Sequence, residues 1–104
     1  MDLAVTQTNG TIAILLGNGD GTFAAAGSVN SASGGSPSPI AVADFNGDGK
    51  LDIAVPAGDY TSTNESVSVL TGNGDGTFNS PFSSPGSTST SVTWIQVADF
   101  NQDG

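Results

Sequence analysis

The sequence has no cysteine, no histidine and no arginine, and Lys50 is its one basic side chain. Without cysteine there is neither a disulfide framework nor a thiolate for metal or redox chemistry. Without histidine, the usual proton carrier near neutral pH and the commonest zinc ligand are missing. Nine Asp and Glu65 against Lys50 give a net charge of −9, a surface that nucleic acid and anionic membranes repel and that cations approach. No apolar run nears the roughly 18 residues of a membrane span, so no membrane insertion is expected. The start carries no basic stretch followed by an apolar one, and Met1 reads as the start of a fragment. Gly, Ser, Thr and Asn fill nearly half of the 104 residues, leaving little for a core, so a lone globule of this composition would be marginal. That composition also raises a disordered reading, which repeated apolar runs such as IAILL, IAVADF and VSVL argue against.

What is present is repetition. GNGDGTF stands at Gly17–Phe23 and again at Gly72–Phe78, and VADFN at Val42–Asn46 and again at Val97–Asn101, both 55 residues apart. DLAV at Asp2 and DIAV at Asp52 lie 50 apart, so the second copy holds five extra residues, within PAGDYTSTNE. TIAILL and SVSVL have strand character, the latter with a period of two. GNGDG after each is a strong hairpin signal, because Asn-Gly and Asp-Gly accept the positive φ that such turns demand. TFAAAGSV and TFNSPF are expected as returning outer strands, with Pro81 at an edge, followed by Ser/Pro-rich connectors. No segment has a helical period, so the chain reads as all-β.

If the strand before the Asp-rich loop is A, the order along the chain is BCD-ABCD-A. These are two four-stranded antiparallel units cut out of phase, the pattern of propeller blades, of which a ring needs about 4 to 8. The expected division is a first blade over residues 1–43, a second over 44–98 that contains the whole Asp-rich loop, and the start of a third copy over 99–104, expected to pair with residues 1–5 of a neighbouring chain. Two blades cannot close a ring, so closure by oligomerisation is expected, with three or four chains.

In the loop Asp44-Phe45-Asn46-Gly47-Asp48-Gly49-Lys50-Leu51-Asp52, oxygen side chains fall at positions 1, 3, 5 and 9. Gly stands at 6, and a carbonyl is available at 7. Oxygen donors in this order suit a hard cation such as Ca2+, which takes six to eight of them. Position 12 is Val55, so Asp52 would have to close the shell. The competing reading is an Asx-rich turn in which carboxylates accept backbone N–H bonds and no metal is held.

VADFNGDGKLDIAV followed by VSVLTGNGDGTF resembles the FG-GAP or VCBS-type repeat of integrin-α-like propellers over nearly the whole chain. The resemblance implies Ca2+ bound between strands A and B by Asp44, Asn46, Asp48, the Lys50 carbonyl and Asp52. It departs from the family in length, with two repeats in place of about seven. The loop alone is also similar to a dockerin or EF-hand-like loop, but those expect a helix afterwards, where this chain has IAVPAG with Pro56.

Asp20 and Asp75 in the GNGDG turns are expected to serve the hairpins, and Phe45 and Phe100 to pack between blades. The acids outside the loops, Asp59 and Glu65, lie in one segment and offer no pair for hydrolysis, so no enzyme activity is expected. Tyr60, in the longer B to C loop, and Trp94, after a D to A connector, are candidate contacts for a glycan or a cell-surface protein, with gap-filling as the alternative for Trp94. The parent would be extracellular or at the cell surface and would serve adhesion or recognition. It could instead be a non-catalytic accessory propeller of a secreted enzyme, or a structural assembly unit. Aligning the copies puts Asp99, Asn101 and Asp103 on Asp44, Asn46 and Asp48, and Asp2 on Asp52. A second, shared Ca2+ site between two chains is therefore expected.

Overall fold

The computed structural model describes residues 1–31, 39–57, 65–88 and 94–101. Among them there are seven strands and no helix. The first sheet runs β1 (Leu3–Thr6), β2 (Thr11–Gly17), β3 (Phe23–Asn30), in that order. The second runs β4 (Ala41–Ala43), β5 (Asp52–Ala57), β6 (Glu65–Leu70), β7 (Phe82–Thr88). All pairings are antiparallel between sequence neighbours, as short turns between strands require.

The hairpin signals fold as their chemistry dictates. Gly19 and Gly21 take φ of 85° and 92°, and Gly74 and Gly76 take 82° and 89°. A side chain would be strained at all four. In each turn the Asp carboxylate accepts the N–H and the hydroxyl of the Thr two residues on, Asp20 from Thr22 and Asp75 from Thr77, at 2.9 and 2.6 Å in both copies. These Asp side chains thus serve the hairpins. The lengthened copy keeps its register because its extra residues fall between β5 and β6, away from both turns.

Two side-chain sets alternate along the strands. Leu3, Val5, Ala13 and Leu15 share one face of the first sheet, by the pairs Leu3↔Leu15 and Val5↔Ala13. Their repeat equivalents Ile53, Val55, Ser68 and Leu70 share the matching face of the second. We call this the leading face. The opposite, trailing face carries Ala4, Ile12 and Ile14 in the first sheet and Ala54, Val67 and Val69 in the second. The core forms where the trailing face of the first sheet meets the leading face of the second. Ile12 and Ile14 join Ile53, Val55 and Leu70 in one buried cluster, flanked by Ala4, Leu16, Val29, Ile40 and Phe78. Each such side chain stabilises the fold by roughly 1.5–3 kcal/mol relative to exposure.

The first sheet has three strands, the number expected from B, C and D over residues 1–43, and among the described residues none lies beyond β1. Two expectations change. The last outer strand lies at Phe82–Thr88, within the stretch read as connector, while Phe78 makes only an isolated bridge to Gly72. The cause is local, because Pro81 has no N–H to give a ladder and Asn79 turns its N–H to the Thr71 carbonyl, 2.9 Å away. Pairing resumes at Phe82, opposite Val69. The other is that Phe45 and Phe100 are not core within the chain: they stand 39% and 88% exposed, because among the described residues no further sheet covers that side. Residues 94–101 form no strand. Instead Ile95, Val97 and Phe100 share a hollow of about 420 Å³ with Phe45, Ala54, Val67 and Val69 on the trailing face of the second sheet.

Candidate functional site

The loop from Asp44 to Asp52 links β4 to β5 and is organised by its own carboxylates. Asp44 anchors it: Oδ1 accepts the N–H of Gly47 and Asp48 at 2.7 and 3.1 Å, and Oδ2 that of Gly49 at 2.8 Å. Gly47 and Gly49 have φ of 75° and 84°, which lets the backbone fold over this carboxylate. The hydrogen bond from Gly49 does most to hold the Asp44 carboxyl below its ordinary range, opposed by desolvation and aided by the hydrogen bonds from Gly47, Asp48 and Asn46. Asn46 Oδ1 accepts the Asp48 N–H at 3.0 Å, and Asp48 Oδ1 accepts the Lys50 N–H at 2.9 Å. Lys50 Nζ lies 3.9 Å from Asp48 Oδ2, both half-exposed, a weak pair.

Asp52 is different. It is fully buried; Oδ2 accepts the Phe45 N–H at 3.0 Å and Oδ1 the Gly72 N–H at 2.9 Å. One carboxylate therefore ties the loop to the end of β6. Gly72 is required there, since a Cβ would collide with the Leu51 carbonyl. The first sheet repeats the device, with Asp2 Oδ1 accepting the Gly17 N–H at 2.9 Å and Gly17 pressed on the Met1 carbonyl. The clip went unread in the sequence, although the recurrence of D-[LI]-A-V with a downstream GNGDG was its signal.

As hosts for a cation, Asp44, Asn46, Asp48 and the Lys50 carbonyl supply hard oxygens in the right order. Among the described residues, however, no three His, Cys, Asp or Glu side chains converge to hold a metal, and Asp52 is engaged by its two N–H partners. Each of its oxygens retains a second lone pair, so the donor chemistry fits a hard cation.

Of the other predicted site residues, Asp99 and Asn101 lie exposed in the segment after Trp94, which is itself 75% exposed. Tyr60 and Asp103 fall outside the described residues. Asp2 lies at the edge of the first sheet, engaged with Gly17.

Comparison with family models matches residues 1–55 to the FG-GAP-like repeat and residues 40–77 to the FG-GAP repeat. The chain belongs to the FG-GAP-like repeat family. The chain matched no curated protein and no solved structure. The FG-GAP matches span both candidate clips and the whole Asp44 loop. With the two antiparallel sheets they identify a β-propeller fragment.

Proposed function

We propose that the chain is a calcium-binding propeller fragment that completes its ring by self-assembly and serves an extracellular, non-catalytic role in adhesion or in carbohydrate or protein recognition. The observation that carries the calcium reading is the loop itself: Asp44 is fixed by three backbone N–H groups, with Asn46, Asp48 and the Lys50 carbonyl following it and Asp52 closing the turn. Calcium would neutralise the carboxylates of Asp44, Asp48 and Asp52, which lie within nine residues of a chain of charge −9. The contribution of saturating calcium is RT ln(1 + [L]/Kd), about 2.7 kcal/mol at a hundredfold excess over Kd. Three or four chains would give six or eight blades, within the range of about 4 to 8 that propellers adopt.

The same hydrogen bonds favour a second reading, an Asx-stabilised turn that needs no metal. Thermal melting with calcium and with chelator separates the two. Calcium should raise the Tm of the wild type and leave that of Asp48→Ala where chelator leaves it. Equal melting curves for the wild type in both conditions would favour the metal-free turn. The role as an accessory propeller of a secreted enzyme remains the alternative setting, and a glycan array bears on the recognition reading.

A further inference from the structure

The two sheets of this chain meet unlike faces, and the same unlike faces are left over on its outside. Inside, Ile53 and Val55 of the leading face are 1% and 0% exposed against Ile12 and Ile14 of the trailing face. Outside, their equivalents Leu3 and Val5 are 42% and 43% exposed. On the far side of the molecule, among the described residues, the trailing face of the second sheet is met by Phe45 and by residues 95–98 and Phe100, across an open hollow. In repeat terms Ile95 and Val97 are Ile40 and Val42, the residues that lead into and form β4 beside the core. The tail therefore rests on the second sheet where the first strand of a further sheet would lie.

We infer that a second copy of this chain sets its leading face, Leu3, Val5 and Leu15, on the trailing face of the first copy's second sheet, Ala54, Val67 and Val69, while residues 96–98 of the first copy pair along β1 of the second. The inference rests on the self-assembly reading and specifies its surfaces. The internal sheet sets the register. Ala41↔Ala54, Val42↔Ile53 and Ala43↔Asp52 become Gln96↔Ala4, Val97↔Leu3 and Ala98↔Asp2. The clip carries over as well: Phe45 gives its N–H to Asp52 Oδ2, so Phe100 gives its N–H to Asp2 Oδ2, whose other oxygen already holds Gly17. Tail and leading face then form one four-stranded sheet from two chains. The contact is heterologous, and each copy offers one half and needs the other.

Because the chain has no cysteine, the register can be read by cross-linking. Directly opposed residues of an antiparallel pair lie within the separation that a disulfide spans. Leu3→Cys mixed with Val97→Cys under mild oxidation should give a cross-linked heterodimer as the main product. Thr6→Cys with Val97→Cys, three residues out of register, should not. Interface variants give the second readout by light scattering in calcium at tens of micromolar. Val5→Asp and Val97→Asp each spare the buried cluster; each should be monomeric alone, and their mixture should form a 1:1 pair and nothing larger. If Val5→Asp does not melt cooperatively, Leu3→Lys on the exposed edge takes its place. A wild type that associates while the mixture stays monomeric, or while Leu3→Cys and Val97→Cys do not cross-link, overturns this docking and leaves self-assembly standing. A wild type that stays monomeric overturns both.

Discussion

Asp52 joins two strand ends with one buried carboxylate, and its removal strands two N–H groups at once. Asp52→Ala should cost about 3 kcal/mol, since each orphaned buried group carries a penalty of about 1–3 kcal/mol. A loss of this size should persist in chelator, as urea denaturation would show. Asp48→Ala, at an exposed position whose carboxylate holds only its own loop, should change little in chelator and lose most of its effect on calcium-dependent stability. Equal losses for the two variants in chelator would refute the distinction between clip and cation ligand. Gly72→Ala tests the same corner from the other side. Its methyl group would meet the Leu51 carbonyl, and backbone cannot step aside as a side chain can, so a loss of about 1–3 kcal/mol is expected.

The GNGDG turns respond to acid through Asp20 and Asp75. The Thr hydroxyl and then the Thr N–H hold each carboxyl below its ordinary range. A lowered folded-state pKa stabilises the fold above the ordinary carboxylate value, and that contribution is lost as pH falls through the lowered one. The urea midpoint should therefore be level from pH 7 to about pH 5 and fall below about pH 4. Asp20→Asn with Asp75→Asn should fall less steeply; an identical acid profile would show that these turns do not contribute. In the strands, Leu70→Ala empties a fully buried position on the leading face of the second sheet and should cost about 2–5 kcal/mol in urea denaturation.

Much of this element plan was legible. The 55-residue offset and the Asn/Asp-Gly turns carry their meaning locally, so β2, β6 and both hairpins could be read from short windows. β7 could not, because Phe82–Thr88 owes its strand to an edge partner rather than to its own Ser, Pro and Gly residues. The Asp44 loop was legible as a string of oxygen donors. The second duty of Asp52 was not, because its partner Gly72 is 20 residues away and only the folded sheet brings the two together. Phe45 and Phe100 were misread as core because their burial depends on a neighbouring sheet rather than on their own spacing.

At the scale of the whole molecule, charge and assembly act against each other. A net charge of −9 pushes copies apart, and salt screens the repulsion with a Debye length of about 8 Å near physiological ionic strength. Raising salt in the presence of chelator should therefore strengthen association if the contact is apolar, a dependence that sedimentation velocity would measure. Weakening with salt would mean that ion pairs, not Leu3, Val5 and Leu15, hold the copies together.

The inequality of the two faces of each sheet has a further consequence for growth by duplication. A copy appended to an open row buries one leading face and presents another, and at the opposite end the trailing face stays as it was. Rows of two, five or seven units thus carry the same unspent adhesive surface, and lengthening alone never relieves it. Only bending the row until its ends touch does so, which makes curvature, rather than the number of units, the quantity on which selection for solubility would act.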